Sequence, residues 1–284
     1  MADHVTIFEV GPRDGLQNQS RAIATADKIR LVDLLSQTGL TRIEVTSFVS
    51  PKWVPQLADA GAVLAGIARV PGVSYAALTP NMRGFEAAVA AGADEVAVFA
   101  SASEGFSLAN INCSIAQSLT RFAPVLVAAK AANIPVRGYV SCVTDCPYDG
   151  PTPPQNTAYV ARALLDLGCY AVSLGDTLGH AIPETIARML EAVLPQVPAS
   201  QLAGHFHDTN GRALDNIAVA LGYGLRCFDA SVAGLGGCPY APGAKGNVAT
   251  GAVVAYLHHI GYGTGIDAAR LAVASGFANG LRSA

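Results

Sequence analysis

Two histidines two residues apart, His205 and His207, are the part of this sequence whose spacing points most directly to chemistry. They lie in the run AGHFHD, which reads as a β-strand, and residues i and i+2 of a strand project from the same face. The two imidazoles therefore stand together, with Phe206 turned to the other side. A pair one pleat repeat apart can bind a single divalent cation if a carboxylate or amide comes from elsewhere in the fold. The alternative is two hydrogen-bonded histidines closing a strand. Asp14 is a candidate oxygen donor. It follows Arg13 directly in GPRDGLQNQ, so a permanent cation would stand beside a metal-binding anion; the competing reading is an exposed turn pair. Thiolates are scarce nearby, and mixed nitrogen and oxygen donors suit Mg2+ or Mn2+, with Zn2+ and Co2+ as further options.

A second chemical signal is the segment AGLGGCPYAPGAKGN, Ala233 to Asn247, with five glycines and two prolines. Such a chain can approach a ligand closely and hinge over it. Cys238, between Gly237 and Pro239, would be a thiol able to give or take a proton above a metal site. The plainer reading is a flexible loop with an incidental cysteine.

These residues need a scaffold that brings them together. Strand-like runs occur at 5–10, 42–48, 73–79, 95–101, 136–142, 171–177, 203–208 and 227–232. Patterns of helical spacing lie between them, at 25–38, 81–91, 157–167, 183–194 and 210–221. Thr25 is a plausible N-cap, and Gly39, Gly92 and Gly168 are plausible helix ends. Eight alternations at this length predict a (β/α)8 TIM barrel, one domain over 1–284, with a Gly-rich active-site loop after the eighth strand and a C-terminal helical segment at about 266–284. A doubly wound open sheet is the alternative, but no GxGxxG follows the first strand. In a barrel the active site sits at the C-terminal ends of the strands. The unusual polar residues fall there: Arg13 and Asp14, then Glu44, Thr46 and Ser47, then Glu104, Ser141, Ser173, Asp176, His205, His207 and Asp208.

The bulk properties agree. The chain is 51% hydrophobic and 14% charged, which suits a large core with strands buried on both faces. A net charge of −3 without a basic block argues against nucleic acid or an anionic membrane as partner. No apolar run is long enough for a membrane span. The start MADHVTIFEV lacks the features of a signal peptide, so a cytoplasmic location is expected. The six cysteines lack CxxC spacing and are expected to be free, small apolar residues.

Together, GPRDGLQN, EVTSFVSPKWVPQLAD, NINCSI, RGYVSC, SLGDT, HFHDT and SVAGLGGCPYAPGAKGN resemble the 3-hydroxy-3-methylglutaryl-CoA lyase family, of the TIM-barrel metallolyase superfamily. The likeness runs from about Val5 to about Gly265. SFVSPKWVPQ and GLGGCPYA are specific to this family, whereas RDG and HxHD indicate only the superfamily. The resemblance implies cleavage of an acyl-CoA substrate, 3-hydroxy-3-methylglutaryl-CoA, to acetyl-CoA and acetoacetate in leucine breakdown. It implies Asp14, His205, His207 and Asn247 as metal ligands, and Arg13, Cys238, Asp176, Glu44 and His205 as catalytic groups. Gln17, Ser47 and Ser173, with Arg13, would lie near the substrate. Asp14 or Asp176 would take the hydroxyl proton, and Cys238, with His205, would protonate the enolate. It also allows a homodimer.

Two departures accompany the resemblance. Animal members carry an acidic residue four positions after the metal-binding Asn, where this chain has Gly251, so Gly251 stays outside the expected site. The chain also stops at Ala284, without the tail that carries a regulatory thiol in some members, so thiol-disulfide regulation is not expected. Two other functions compete: an acetyl-CoA-dependent condensing transferase of the same superfamily, and a catalytically inactive acyl-CoA-binding barrel. The transferases usually carry extra C-terminal regions, and the joint presence of Arg13, Asp14, His205, His207, Cys238 and Asn247 argues against an inactive barrel.

Overall fold

The computed structural model describes residues 3–17, 19–237 and 246–282. Eight parallel strands close a barrel in sequence order: β1 (Thr6–Glu9), β2 (Arg42–Ser47), β3 (Ser74–Leu78), β4 (Glu95–Ser101), β5 (Val136–Ser141), β6 (Ala171–Asp176), β7 (Leu202–Phe206) and β8 (Cys227–Ala230), which pairs back onto β1. The open-sheet alternative is thereby excluded. Runs such as EVAVFAS are buried on both faces, as strands between a filled interior and a helix layer must be.

The helices are α1 (Thr25–Ser36), α2 (Ala60–Gly66), α3 (Met82–Ala90), α4 (Glu104–Ile111), α5 (Ile115–Ala131), α6 (Pro154–Leu167), α7 (Pro183–Val193), α8 (Ala213–Gly222), α9 (Thr250–His259) and α10 (Ala268–Arg282). Their starts are chemically marked. Asn81 accepts from Gly84 N, Ser103 accepts from Phe106 N, and Ser114 with Gln117 forms a capping box. Thr25 differs from expectation. It is the first helical residue, preceded by Ala24, and its hydroxyl donates to Asp59 Oδ2 at 2.7 Å. The continuous core lies between barrel and helices, and includes Leu31, Val63, Leu126, Leu164, Leu190 and Phe206. The Pro-rich stretch after β5 is a βα loop, as expected, with a small antiparallel pair, Asp145–Cys146 against Gly150–Pro151.

The barrel interior is more polar than expected. Polar groups do not gather at one end alone. At the N-terminal end, Arg42 Nη1 bonds Glu95 Oε2 at 2.7 Å and the Tyr170 hydroxyl bonds Glu95 Oε1 at 2.6 Å. At mid-barrel, Arg137 is fully buried over the Phe8 ring at 4.1 Å. The chemistry stands above these two layers. No helix among the described residues is long and apolar enough to cross a membrane.

Candidate functional site

The site begins at the end of β1, where Gly11–Gly15 form one π-helical turn. The amides of Arg13, Asp14 and Gly15 all converge on the carbonyl of Val10, at 3.2, 2.8 and 3.3 Å. Widened turns of this kind are frequent at functional sites. Two glycines are required by crowding. A Cβ at Gly11 would stand 2.6 Å from Glu9 Oε1, and one at Gly15 would stand 2.7 Å from Leu235 Cβ. Glu9 anchors the turn, accepting from Gly11 N at 2.8 Å, Val232 N at 2.8 Å and the Thr250 hydroxyl at 2.6 Å. Val232 and Thr250 flank the Gly-rich segment on either side, so one carboxylate ties both flanks to the turn that carries Arg13 and Asp14. Burial pushes Glu9 up to about 7 despite these three donors.

Arg13 is held on two sides. Its Nε donates to Glu44 Oε2 and its Nη1 to Asp14 Oδ1, each at 2.6 Å, and its guanidinium lies 5.5 Å from the centre of the Tyr139 ring. A register shift in β2 between Glu44 and Thr46 marks a bulge next to this contact. Bulges commonly re-aim side chains beside active sites. A rigid planar cation with both edges engaged is oriented, unlike a lysine ammonium on a flexible stem.

His205 and His207 face the same side, as their spacing predicts. Their Nε2 atoms are 3.4 Å apart, and His205 Nε2 is 3.9 Å from Asp14 Oδ2. Ligating atoms of Asp14, His205 and His207 all lie within 4.8 Å of one another, so these three residues could hold a metal ion. Asn247 joins them through its backbone, which pairs with His207 in an isolated antiparallel bridge. Its amide Nδ2 donates to Asp14 Oδ2 at 2.7 Å. As a ligand Asn247 would present Oδ1, a half-turn of the amide. Two imidazole nitrogens, a carboxylate and an amide oxygen suit a divalent cation. The observation that tests this fit is a charge one. His205 Nδ1 sits 3.0 Å from Asp229 Oδ2; when the ring is neutral and Nδ1 donates to that oxygen, the Nε2 lone pair is aimed at an anionic oxygen and a second imidazole. A cation resolves that convergence of acceptors.

Two of the three protonation states suit ligation directly. Burial alone would raise Asp14, but Arg13, His205 and His207 hold it at about 2, so it is an anion at neutral pH. Burial and the neighbouring His205 push His207 down to about 4, keeping its imidazole neutral and able to ligate. Burial works against charge on His205, yet Asp229 and Asp14 outweigh it and raise the group, so His205 must release a proton from Nε2 to ligate a metal.

The other expected residues are distributed unevenly. Gln17 Nε2 approaches Asp14 Oδ1 at 3.5 Å, at the edge of the cluster. Ser47 accepts from Val49 N at 3.2 Å within its own turn. Ser173 lies deeper, its hydroxyl donating to Asp229 Oδ2 at 2.7 Å. Asp176 makes its described contacts within its own loop. It pairs in register with Phe206, on the side facing the helices, and its two oxygens accept from Gly179 N and Ala181 N, both at 3.1 Å. It organises the loop after β6. Gly251 is exposed in the first turn of α9, with open space where a side chain would be. Cys238 lies outside the described residues. Sequence reasoning missed Asp229, Arg137 and Glu9. The same period-two rule that paired the histidines gives the signal for Asp229, once β8 is known to set it opposite His205.

Comparison with known proteins matches residues 4–277 to the family described as HMGL-like. A crystal structure of the HMG-CoA lyase from Brucella melitensis is 61% identical, covers 100% of both chains and has a TM-score of 0.99. A Pseudomonas aeruginosa protein, described as 3-hydroxy-3-isohexenylglutaryl-CoA/hydroxy-methylglutaryl-CoA lyase, is 56% identical over 99% of this chain and 96% of its own. An HMG-CoA lyase from Acinetobacter baumannii, solved with coenzyme A and 3-methylmalate, is 38% identical. It covers 99% of this chain and 92% of its own, with a TM-score of 0.93.

Proposed function

The chain belongs to the HMGL-like family, and from that premise we propose that it cleaves 3-hydroxy-3-methylglutaryl-CoA to acetyl-CoA and acetoacetate. The observation that carries this reading is the grouping of an oriented guanidinium, Arg13, with the donor set of Asp14, His205 and His207 at the barrel mouth.

The reaction is a reverse Claisen cleavage. The C3 hydroxyl loses its proton, the C2–C3 bond breaks, acetoacetate leaves, and the electron pair resides on the acetyl-CoA enolate until C2 is protonated. A divalent cation held by Asp14, His205, His207 and Asn247 would acidify that hydroxyl and orient the acyl group. Arg13 is suited to the thioester oxygen as negative charge grows on it. Its charge is permanent, and Glu44 and Asp14 fix its plane before the substrate arrives. Asp14, whose carboxylate faces the cluster, and Asp176 both remain candidates for taking the hydroxyl proton. Cys238 remains the proposed donor to the enolate carbon, with His205 assisting.

The acyl-CoA partner is supported by the coenzyme A bound in the Acinetobacter relative. A homodimer remains part of the proposal. A reducing compartment such as the cytoplasm is supported by the five cysteines among the described residues, all free and four of them buried. The test is product identity: purified protein given the thioester yields acetoacetate and acetyl-CoA together. Free CoA formed instead from acetyl-CoA and 2-oxoisovalerate would mark the condensing transferase, and binding without acetoacetate would mark an inactive barrel.

A further inference from the structure

We propose that Asp229, outside the family-implied ligand set, is a positioning residue that fixes the tautomer of His205 so that Nε2 is bare toward the metal site, and that Arg137 and Ser173 hold Asp229 in place for this. The inference rests on the metal reading above and deepens it.

The geometry carries the argument. Asp229 and His205 are register partners on β8 and β7, so their side chains leave the sheet on the same face. Asp229 is 2% exposed, and a carboxylate so buried needs donors for its lone pairs. Three strands supply them. Arg137 Nη2 from β5 donates to Oδ1 at 2.6 Å, the Ser173 hydroxyl from β6 donates to Oδ2 at 2.7 Å, and His205 Nδ1 from β7 donates to Oδ2 at 3.0 Å. Arg137 cannot swing away readily. Its guanidinium lies between Phe8 and Tyr139, 4.1 and 5.1 Å from the ring centres, and its Nη1 bonds the Tyr139 hydroxyl at 3.1 Å. The carboxylate is therefore fixed before any ligand arrives.

The consequence for His205 is specific. A neutral imidazole carries one proton, and in water that proton favours Nε2. A carboxylate at Nδ1 reverses the preference, because only Nδ1–H can donate to it. The lone pair is then at Nε2, the nitrogen 3.4 Å from His207 Nε2 and 3.9 Å from Asp14 Oδ2. Partners of this kind orient ligating histidines and raise their basicity. A carboxylate that only balanced Arg137 would need neither the register with His205 nor a bond to its ring.

Asp229→Asn is the informative change. It keeps the shape and can still accept from Arg137 through Oδ1, but its NH2 faces His205 Nδ1 and donates, driving the proton to Nε2. Two readouts apply: the 15N imidazole spectrum of His205 in metal-free protein at a pH high enough for the ring to be neutral, and Mn2+ affinity by calorimetry. The expected result is Nδ1–H in wild type, Nε2–H in the variant, and Mn2+ affinity reduced ~10- to 100-fold. A folded Asp229→Asn protein that binds Mn2+ as tightly as wild type would overturn the inference while leaving the metal reading intact. Wild type that binds no Mn2+ overturns the metal reading itself, and the inference with it. Should the variant fail to fold, the wild-type spectrum of the neutral ring decides alone: a single proton at Nε2 in the metal-free protein contradicts the proposal, and a single proton at Nδ1 supports it.

Discussion

Asn247 reaches the cluster because its backbone pairs with that of His207 across an isolated antiparallel bridge. Around that bridge, Asp208 N bonds the Gly246 carbonyl at 2.8 Å and Val248 N bonds the Phe206 carbonyl at 3.3 Å. The segment returning from the Gly-rich loop is thus laid onto the end of β7, where the two histidines are. Main-chain bonds position Asn247, so its side chain can be removed without moving the strand end.

Two ligand variants follow. His207→Ala removes an imidazole that is neutral at physiological pH and should lower Mn2+ affinity by more than ~100-fold, beyond the usual effect of an outer partner. Asn247→Ala should weaken binding less, since Asp14, His205 and His207 remain. Calorimetric titration of both, with circular dichroism confirming the fold, checks the order; equal affinity of His207→Ala and wild type would remove His207 from the ligand set.

Arg13→Lys separates charge from shape. A lysine keeps the positive charge but cannot engage Glu44 and Asp14 at once in one plane. Turnover should fall ~100- to 1,000-fold, the loss expected when one transition-state donor is misplaced, with Mn2+ affinity unchanged. Glu44→Gln should lower turnover in the same sense, more mildly. Single-turnover kinetics on both variants is the measurement, and a near-wild-type rate for Arg13→Lys would refute the enolate role.

Glu9 gives a pH prediction. Its value in the folded protein, about 7, lies above the ordinary 4.5, so the folded state holds this proton more tightly than the unfolded state. Its contribution is fully present below about pH 4.5 and is lost as pH rises through about 7. Glu9→Gln keeps an acceptor for Gly11 and Val232 and carries no titration. Relative to wild type, the variant should gain stability from pH 5 to pH 8, by about 2–3 kcal/mol at most. Urea unfolding at the two pH values measures it, and a difference that does not change with pH would contradict the assignment.

Arg137→Met tests the mid-barrel layer. The substitution leaves the Asp229 carboxylate buried without its strongest donor and should cost ~3–5 kcal/mol. Adding Asp229→Asn should recover part of that loss, because the orphaned charge is gone. Two independent, additive losses would show that the residues do not act as a pair.

The strands were legible to within one or two residues because each is a short apolar run closed by turn residues, and two-sided burial in a barrel demands that pattern. The helices were less so. α5 was missed because Pro124 interrupts its pattern, although the Ser114 and Gln117 capping box marks its start. α2 and α9 carry too little polar contrast to reveal a face. At the site, His205 and His207 were legible from period two alone, and the same rule puts Asp176, an odd number of residues from Ser173, on the opposite face of its strand. Arg137 and Asp229 were not legible. Buried charges in strands look out of place until the register brings them together across the barrel interior.

The most direct test of the central claim is acetoacetate release from 3-hydroxy-3-methylglutaryl-CoA by purified, chelator-dialysed protein, measured with and without added Mg2+ or Mn2+. The account predicts no product from the dialysed protein and full activity on adding the metal. Undiminished acetoacetate formation in the presence of EDTA would contradict it.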